Sequence, residues 1–350
     1  MYNRSNQRIN YFRYLTRSKF QSSASPFFFG YGRTALKAGL ISSNISVGKK
    51  ILVPNYICNE ALQPFNELGI GIKYYSVNED LSPNWDSIKK ILSNDVVSIL
   101  MVHYFGIPQQ IDQFIRFSKE NNLLLIEDNS HGYGSLYSGK LLGTLGDIGI
   151  SSPRKSFPIL NGGVLFLNNG NKVIGDFPLE PANIQKLIIR DVIGRILDNA
   201  VTIKELFLKK PDNEIKSDTN IKDWSIDKTS HNLLIEYNLE KVRELRTNIY
   251  KVWEKWCKAN DLSPIFLLKD NSFAPLSTPL LFDSKSDRDK WLSIFRKNHI
   301  AAYIWPDLPR EIMDTINSGK DLRDRTLCFP IHLSMKPDKL EKFLSDKFIY

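Results

Sequence analysis

The ten residues LLLIEDNSHG, numbers 123–132, place two acids directly after a continuous apolar run. The run Leu123–Glu127 predicts a strand that is buried on both faces, so Asp128 follows at the strand's carboxyl end. Ligand sites of open α/β sheets form at that edge of the sheet. The segment Ile126–Gly132 is therefore a candidate binding site, although an acidic turn that caps a helix would leave the same pattern.

Strand and helix patterns alternate around this segment, from about residue 33 to residue 170. Short apolar runs separated by amphipathic segments of helix length indicate crossover units and a mainly parallel sheet. The predicted strands are Ile51–Pro54, Ile72–Tyr75, Val97–Val102, Leu123–Glu127, Ile148–Ser151 and Val164–Leu167, and the predicted helices are Thr34–Gly39, Asn59–Leu68, Trp85–Leu92 and Gln110–Lys119.

The pattern changes after about residue 175. Helical periodicity covers Lys186–Leu208 and Leu233–Ala259, with the polar stretch Lys210–Ser230 between them. The end of the chain mixes strand and helix patterns, at Thr278–Phe282, Ser286–Asn298, Ala301–Ile304 and Asp338–Ser345. We therefore predict an N-terminal arm (1–27), a large α/β domain (28–232), and a bridging helix with a smaller α+β domain (233–350).

The composition is that of a globular chain rather than a disordered one. Of 350 residues, 42% are hydrophobic and 24% are charged, a balance that can bury a sizeable core. No stretch approaches the roughly 18 apolar residues of a membrane-spanning helix. The basic, aromatic N-terminus lacks the apolar stretch of a signal peptide, and so we expect a cytoplasmic protein.

Charge and cysteine usage argue against two classes of binding site. The formal net charge is +9, but Lys and Arg are interleaved with acids and do not form the single stripe of a nucleic-acid binder. The excess charge is either a solvated surface or an attraction to anionic small molecules such as phosphates or nucleotide sugars. Cys58, Cys257 and Cys328 lie too far apart to suggest a disulfide framework or a metal site.

Two further motifs follow the acidic segment. Gly143–Gly149 leads into Ser151-Ser152-Pro153-Arg154-Lys155. A lysine shortly after a strand, with serines three and four residues before it, suits a covalent cofactor site in which hydroxyls hold a phosphate. Asn161-Gly162-Gly163 then permits positive φ and close backbone approach. Taken singly, an ordinary basic turn and a plain glycine turn would give the same patterns.

Together and in this order, the motifs resemble the DegT/StrS-like sugar aminotransferases, a family of fold-type-I pyridoxal-phosphate (PLP) enzymes. The resemblance covers roughly residues 28–346. It implies a mainly parallel seven-stranded sheet in the large domain and a smaller C-terminal α+β domain. The matching segments are Gly32–Leu36, Val53–Cys58, His103–Gly106, Glu127–His131, Gly146-Asp147, Gly162-Gly163, Ala302–Pro306 and Leu327–His332.

The resemblance implies three catalytic residues. Lys155 would carry PLP covalently and move a proton during the reaction. Asp128 would pair with the pyridinium nitrogen and keep the ring an electron sink. His131 would lie near the phenolic oxygen.

Further residues would bind the cofactor or the substrate. Ser151 or Ser152, with the amides of Arg33 and Thr34 at a helix N-terminus, would hold the phosphate; the lysine loop is about two residues shorter than in most relatives, which leaves the serine open. Cys58 stands near where an aromatic residue often stacks on the ring, and Tyr56 could take that task. The candidates for substrate binding are Arg154, Trp305 and His332.

The function that the resemblance implies is transamination of a keto sugar. Glutamate is the expected amino donor, and the acceptor is a nucleotide-linked sugar for surface polysaccharide or glycoconjugate synthesis. A homodimer with composite active sites is expected. The retained Lys155 argues against the family's dehydratase branch, which has histidine there. A non-sugar ketone as the substrate and a non-catalytic binding protein stay open as alternatives.

Overall fold

The computed structural model describes residues 26–45, 47–168, 170, 172–179 and 223–347. Most of the predicted N-terminal arm, the predicted helix Lys186–Leu208 and most of the polar stretch that follows it lie outside the described residues. No helix among the described residues is long and apolar enough to cross a membrane.

The elements are numbered here in chain order. The strands are β1 (Phe27–Phe29), β2 (Lys50–Pro54), β3 (Gly71–Tyr75), β4 (Val96–Val102), β5 (Leu124–Asn129), β6 (Leu136–Tyr137), β7 (Lys140–Leu141), β8 (Ile148–Ser151), β9 (Gly163–Leu167), β10 (Ser277–Leu281) and β11 (Thr326–Pro330). The helices are α1 (Gly32–Ser42), α2 (Gln63–Glu67), α3 (Trp85–Ile91), α4 (Ile111–Glu120), α5 (Lys228–Glu236), α6 (Leu239–Ala259), α7 (Lys285–Lys297), α8 (Arg310–Met313), α9 (Ser318–Arg325) and α10 (Pro337–Lys347).

Seven strands form one sheet in the order β1-β9-β8-β5-β4-β2-β3. Strands β8, β5, β4, β2 and β3 are mutually parallel, whereas β9 runs antiparallel to both of its neighbours. Four of the five residues of β2 and six of the seven of β4 are buried, which agrees with their continuous apolar sequences. The predicted mainly parallel seven-stranded sheet is confirmed.

Strand β5 is longer than the sequence pattern predicted. It continues through Asp128 and Asn129, which pair with Ile150 and Ser151 of β8. The backbone N–H of His103 also donates to the Asp128 carbonyl at 2.9 Å. These backbone bonds extend the strand past its apolar residues, so the side chain of Asp128 leaves the sheet itself rather than a following turn.

The C-terminal part has its own apolar cluster around helix α6. Trp253 of that helix is fully buried and packs against Phe329 of β11, with ring centroids 4.5 Å apart. Strands β10 and β11 pair antiparallel beside it. This separate cluster favours the predicted division into domains 28–232 and 233–350, which stays a prediction.

Two element predictions were wrong in detail. Residues Ala301–Ile304 do not form a strand, since only Tyr303 makes an isolated bridge, to Cys328. The predicted helix Asn59–Leu68 is a 3₁₀ turn, Asn59–Ala61, followed by the short helix α2. Pro64 lies at the start of α2, where its missing N–H needs no partner, and it therefore marks a new helix start.

Candidate active site

Two neighbouring parallel strands deliver the predicted acid and the predicted lysine to one edge of the sheet. Strand β5 ends at Asn129, which pairs with Ser151 at the end of β8. Asp128 therefore stands at the carboxyl edge, and Lys155 follows β8 by one 3₁₀ turn, Pro153–Lys155. Ligand sites of parallel sheets form at this edge.

Lys155 ends this turn and interacts electrostatically with two other predicted site residues. Its backbone N–H donates to the Ser152 carbonyl at 3.0 Å, which closes the turn, and the residue is exposed. Burial raises the pKa of the Cys58 thiol, and the Lys155 ammonium opposes that rise. The same ammonium contributes to lowering the pKa of His131. Lys155 is thus an accessible amine within electrostatic reach of Cys58 and His131.

Asp128 is buried at the same edge of the sheet. It is 7% exposed, and its Oδ1 accepts a hydrogen bond from the backbone N–H of Ser130 at 2.8 Å. Its carboxylate lies close enough to Cys58 and Tyr104 to help raise the pKa of both groups, after the larger effect of their burial. Cys58 is therefore within electrostatic reach of both Lys155 and Asp128.

His131 is held as a neutral hydrogen-bond donor. Burial, and then the charge of Lys155, lowers the pKa of its imidazole well below the usual range. Its Nδ1 accepts the backbone N–H of Phe105 at 3.2 Å, which leaves the proton on Nε2. The ring stacks on Phe105 at 5.8 Å and meets Trp305 edge-on at 4.8 Å. His131 can therefore donate from Nε2 but does not carry a charge at neutral pH.

Tyr56 supports Trp305 instead of presenting a free face. It is fully buried, its hydroxyl donates to the Trp305 carbonyl at 2.7 Å, and its ring meets the Trp305 ring edge-on at 5.3 Å. Burial raises the pKa of this hydroxyl well above its usual value. The stacking role predicted for Tyr56 is therefore disfavoured, whereas Cys58 of the same segment is half-buried and within electrostatic reach of Lys155.

The start of helix α1 forms a cradle beside the lysine turn. Tyr31, the N-cap, makes no side-chain capping bond, and the first helical bond runs from Ala35 N–H to the Tyr31 carbonyl. The N–H groups of Gly32, Arg33 and Thr34 therefore have no acceptor within the helix. Free N–H groups at a helix start suit an anion such as a phosphate.

The two candidate serines lie differently with respect to this cradle. A Cβ added to Gly32 would lie 3.3 Å from Ser152 Cβ and 3.6 Å from Ser130 Oγ. The hydroxyl of Ser151 instead lies 3.4 Å from a Cβ built on Gly143. Ser152 is therefore the serine beside the helix start. Ser130, which the sequence did not single out, joins it there.

The cradle fits a phosphate on two observations. A Cβ on Gly163 would clash with the Tyr31 carbonyl, so the second glycine of the Gly162-Gly163 pair lets β9 approach the helix start. The hydroxyl of Thr34 is buried and has no hydrogen-bond partner among the residues that the structure describes. Backbone N–H groups without an acceptor in the helix and nearby hydroxyls can donate to a phosphate monoester, and the small residues leave room for it.

Two arginines flank the cradle. The guanidinium groups of Arg33 and Arg154 lie 5.2 and 5.0 Å from the centroid of the Tyr31 ring. Arg33 Nη1 also donates to Gln63 Oε1 at 3.4 Å. The pair places positive charge beside the helix start, where it would attract an anionic ligand.

His332 lies in the turn after β11 and is exposed. Its Nδ1 is 2.9 Å from Ser334 Oγ, and its backbone N–H points at the Met335 sulfur at 3.3 Å. These contacts are local to the turn, so substrate binding by His332 stays a prediction. No group of His, Cys, Asp and Glu among the described residues could hold a metal ion.

Glu127 organises the loop that precedes the lysine strand. Its Oε1 accepts from His103 Nε2 at 2.9 Å and from Gly143 N–H at 2.6 Å. Its Oε2 accepts from Leu145 N–H at 2.7 Å and from Gly146 N–H at 2.8 Å. Although burial raises the pKa of Glu127, these bonds outweigh it and lower the pKa below the usual value. Glu127 thereby fixes the approach to β8.

Residues 29–173 match the DegT/DnrJ/EryC1/StrS aminotransferase family. The predicted resemblance to this family is thereby confirmed.

Individual proteins agree with this assignment. The chain is 28% identical to the GDP-perosamine synthase of Escherichia coli O157:H7 over 219 residues, 60% of this chain and 59% of that protein. The match thus spans less than two thirds of this curated relative. A DegT DnrJ EryC1 StrS aminotransferase from Brucella abortus superimposes with a TM-score of 0.66 at 17% identity, over 98% of this chain and 89% of that one. The PLP-form structure of Spr1654 from Streptococcus pneumoniae gives 0.67 at 13% identity, over 92% and 85%.

Replacing Glu127 with Gln tests the loop network. An amide nitrogen would face a backbone N–H donor at one of the two oxygen positions, so Glu127→Gln should lower the free energy of unfolding by at least about 2 kcal/mol. Urea unfolding at neutral pH measures this. Glu120→Gln, an exposed residue of α4, is the matched control and should change little. Equal values for the two variants would contradict the role of Glu127.

The pH dependence of this difference has a fixed sign. Because the folded-state pKa of Glu127 is lowered, its contribution is complete above the unfolded pKa of about 4.3. It is then lost as the pH falls through the folded-state value. The difference between wild type and Glu127→Gln should therefore be constant near neutral pH and shrink under acid conditions. A difference that grows on acidification would be inconsistent with a lowered pKa.

Proposed function

We propose that this protein is a PLP-dependent aminotransferase that moves an amino group, with glutamate as the donor, to the keto group of a nucleotide-linked sugar. The observation that supports the proposal is that Asp128 and Lys155 follow neighbouring strands at one edge of the sheet, with Lys155 within electrostatic reach of His131. The family match over residues 29–173 and the similarity to a GDP-perosamine synthase support it. Such amino sugars serve the synthesis of surface polysaccharides and glycoconjugates.

When bound, PLP supplies a reactive carbonyl and an electron sink for the transfer. Lys155 would bond to it covalently, because its amine is the accessible one at the end of β8. Lys155 Nζ would also hold and move the substrate's proton. The turn Pro153–Lys155 keeps the amine within electrostatic reach of His131.

Asp128 would hold a proton at the pyridine nitrogen. Its burial keeps water from competing for that contact, and the bond from Ser130 N–H to Oδ1 fixes the carboxylate's orientation. His131, neutral and protonated at Nε2, would donate a hydrogen bond to the phenolic oxygen. Ser152, Ser130 and the first N–H groups of α1 would hold the phosphate.

The charges around the cradle favour an anionic substrate. Arg33 and Arg154 stand at its edge with Lys155 nearby, and none of them is buried. A nucleotide-linked sugar carries the phosphates that these cations would attract. Arg154 and the half-buried indole of Trp305 are the proposed substrate contacts, with His332 as a further candidate.

We also propose a cytoplasmic homodimer with composite sites. All three cysteines are free thiols, as is usual in a reducing compartment. Two-fold dimers are the commonest soluble assemblies. The segment Lys186–Arg190, a candidate contributor to the partner's site, lies outside the described residues. Light scattering should give twice the chain mass of 40.3 kDa, and a fully active monomer would exclude composite sites.

Two alternatives to a nucleotide-sugar aminotransferase are considered: a different acceptor and the absence of catalysis. The short lysine loop is the reason to consider a non-sugar ketone as the acceptor. A binding protein without catalysis is disfavoured, because the chain retains Lys155, Asp128 and His131.

The test of the substrate class is a product analysis. Purified protein, PLP and glutamate are incubated with nucleotide-linked 4-keto and 3-keto sugars and with a matched set of non-sugar ketones. Mass spectrometry should show an aminated nucleotide sugar and the 2-keto acid from glutamate. Amination of the non-sugar ketones alone would establish the first alternative. No amination of any compound, together with tight PLP binding, would establish the second.

Lys155 is predicted to be the residue that carries the cofactor. Borohydride reduction of the PLP-loaded protein should fix the pyridoxyl group on Lys155, as read by peptide mapping. Lys155→Ala should abolish this adduct while the protein stays folded, because an exposed side chain contributes little to the core. Lys119→Ala, an exposed residue of α4, is the control and should label like wild type. An adduct on any other lysine would refute the assignment.

A further inference from the structure

Helix α6 carries a buried arginine that bonds to two backbone segments outside its own helix. Arg246 is 1% exposed, and its Nη1 donates to the Pro275 carbonyl at 2.8 Å. Its Nη2 donates to the Ser156 carbonyl at 2.7 Å. Its Nε has no hydrogen-bond partner, and no Asp or Glu among the described residues pairs with it. The guanidinium is thus held by two backbone carbonyls alone.

Such an arrangement is costly for the fold. Burial of a charge without an acid partner is unfavourable, and here burial lowers the pKa of the guanidinium to about 10. The group is still a cation at neutral pH. An apolar side chain would pack helix α6 at lower cost, so the reason for an arginine lies in the two carbonyls it bridges.

The first carbonyl belongs to the lysine turn. Ser156 directly follows Lys155, and its N–H donates to the Pro153 carbonyl at 2.8 Å. Phe157 N–H donates to the same carbonyl, also at 2.8 Å. The turn is therefore closed on itself by local bonds, and Arg246 is the side chain that ties its end to helix α6.

The second carbonyl belongs to the wall that carries His131. Pro275 precedes Leu276, whose N–H donates to the Phe105 carbonyl at 2.9 Å. Phe105 in turn stacks on His131 and donates its N–H to Nδ1 of that ring. One guanidinium therefore joins the backbone next to Lys155 to the backbone that orients His131.

We propose that Arg246 is a positioning residue that fixes the lysine turn relative to the wall bearing His131. It acts through backbone carbonyls and touches no reacting atom. Its consequence is that Lys155 Nζ is presented in one orientation for covalent bonding, while the phosphate cradle at α1 is unaffected. The functional part of this inference rests on the proposed function. The bridge from Arg246 to the carbonyls of Ser156 and Pro275, called the brace below, does not.

The brace is tested first in cofactor-free protein by hydrogen exchange. Arg246→Lys keeps the charge but cannot present the planar pair of donors that bridges both carbonyls. Amide exchange in residues 152–160 should become about tenfold faster or more, because the turn opens locally. Arg288→Lys is the matched control, since Arg288 is also 1% exposed but lies in helix α7, and it should leave this peptide unchanged.

The functional part is tested by separating covalent bonding from binding. In Arg246→Lys with an unchanged melting temperature, the rate of PLP attachment to Lys155 should fall about tenfold or more, because a misplaced amine reacts slowly. Pyridoxamine phosphate, which cannot bond to the lysine, should bind with wild-type affinity. A general loss of structure would weaken both, and that result overturns the proposal.

The other outcomes also decide whether Arg246 positions the lysine turn. Unchanged exchange in residues 152–160 overturns the brace. If Arg246→Lys fails to fold, Arg246→Gln is measured in the same way. If both fail while Arg288→Lys folds, Arg246 supports the whole chain and a local positioning role is refuted. If wild type forms no bond between PLP and Lys155, the proposed function fails, but the exchange result still judges the brace.

Discussion

The carboxylate of Glu127 is the contact on which the rest of the site depends. It is fully buried and accepts bonds from His103, Gly143, Leu145 and Gly146. Successive residues of a strand point to opposite faces of the sheet, so fixing Glu127 on one face also fixes Asp128 on the other. The same bonds hold the loop that leads into β8, the strand that Lys155 follows.

Two buried charged residues, Glu127 and Arg246, hold the backbone before and after the lysine turn. Glu127 is stabilised by a full set of donors, which is the condition under which a buried carboxylate is tolerated. Arg246 is only partly compensated, since within the described part of the chain it donates to two carbonyls and pairs with no acid. Between them, Lys155 stays exposed and Asp128 keeps a single backbone donor, Ser130 N–H. The groups proposed to react are thus less constrained by hydrogen bonds than the groups that place them.

Sequence patterns predicted the sheet and the residues that meet at its edge, because strand periodicity and motif order are local properties. They could not choose between Ser151 and Ser152, since that choice depends on which hydroxyl faces the start of α1. They did not show that Tyr56 is buried behind Trp305. Contacts between distant segments, such as Arg246 with Ser156, leave no periodic signal at all. Ser130 could have been noticed, as it lies two residues after Asp128 and one before His131.

The most direct test of the account is a crystal structure of the protein soaked with PLP. Continuous density should join Lys155 Nζ to the cofactor, with the phosphate at the start of α1 between Ser130 and Ser152 and the ring nitrogen facing Asp128. A phosphate bound away from this helix start, or a ring nitrogen that faces a different acid, would contradict the site described here.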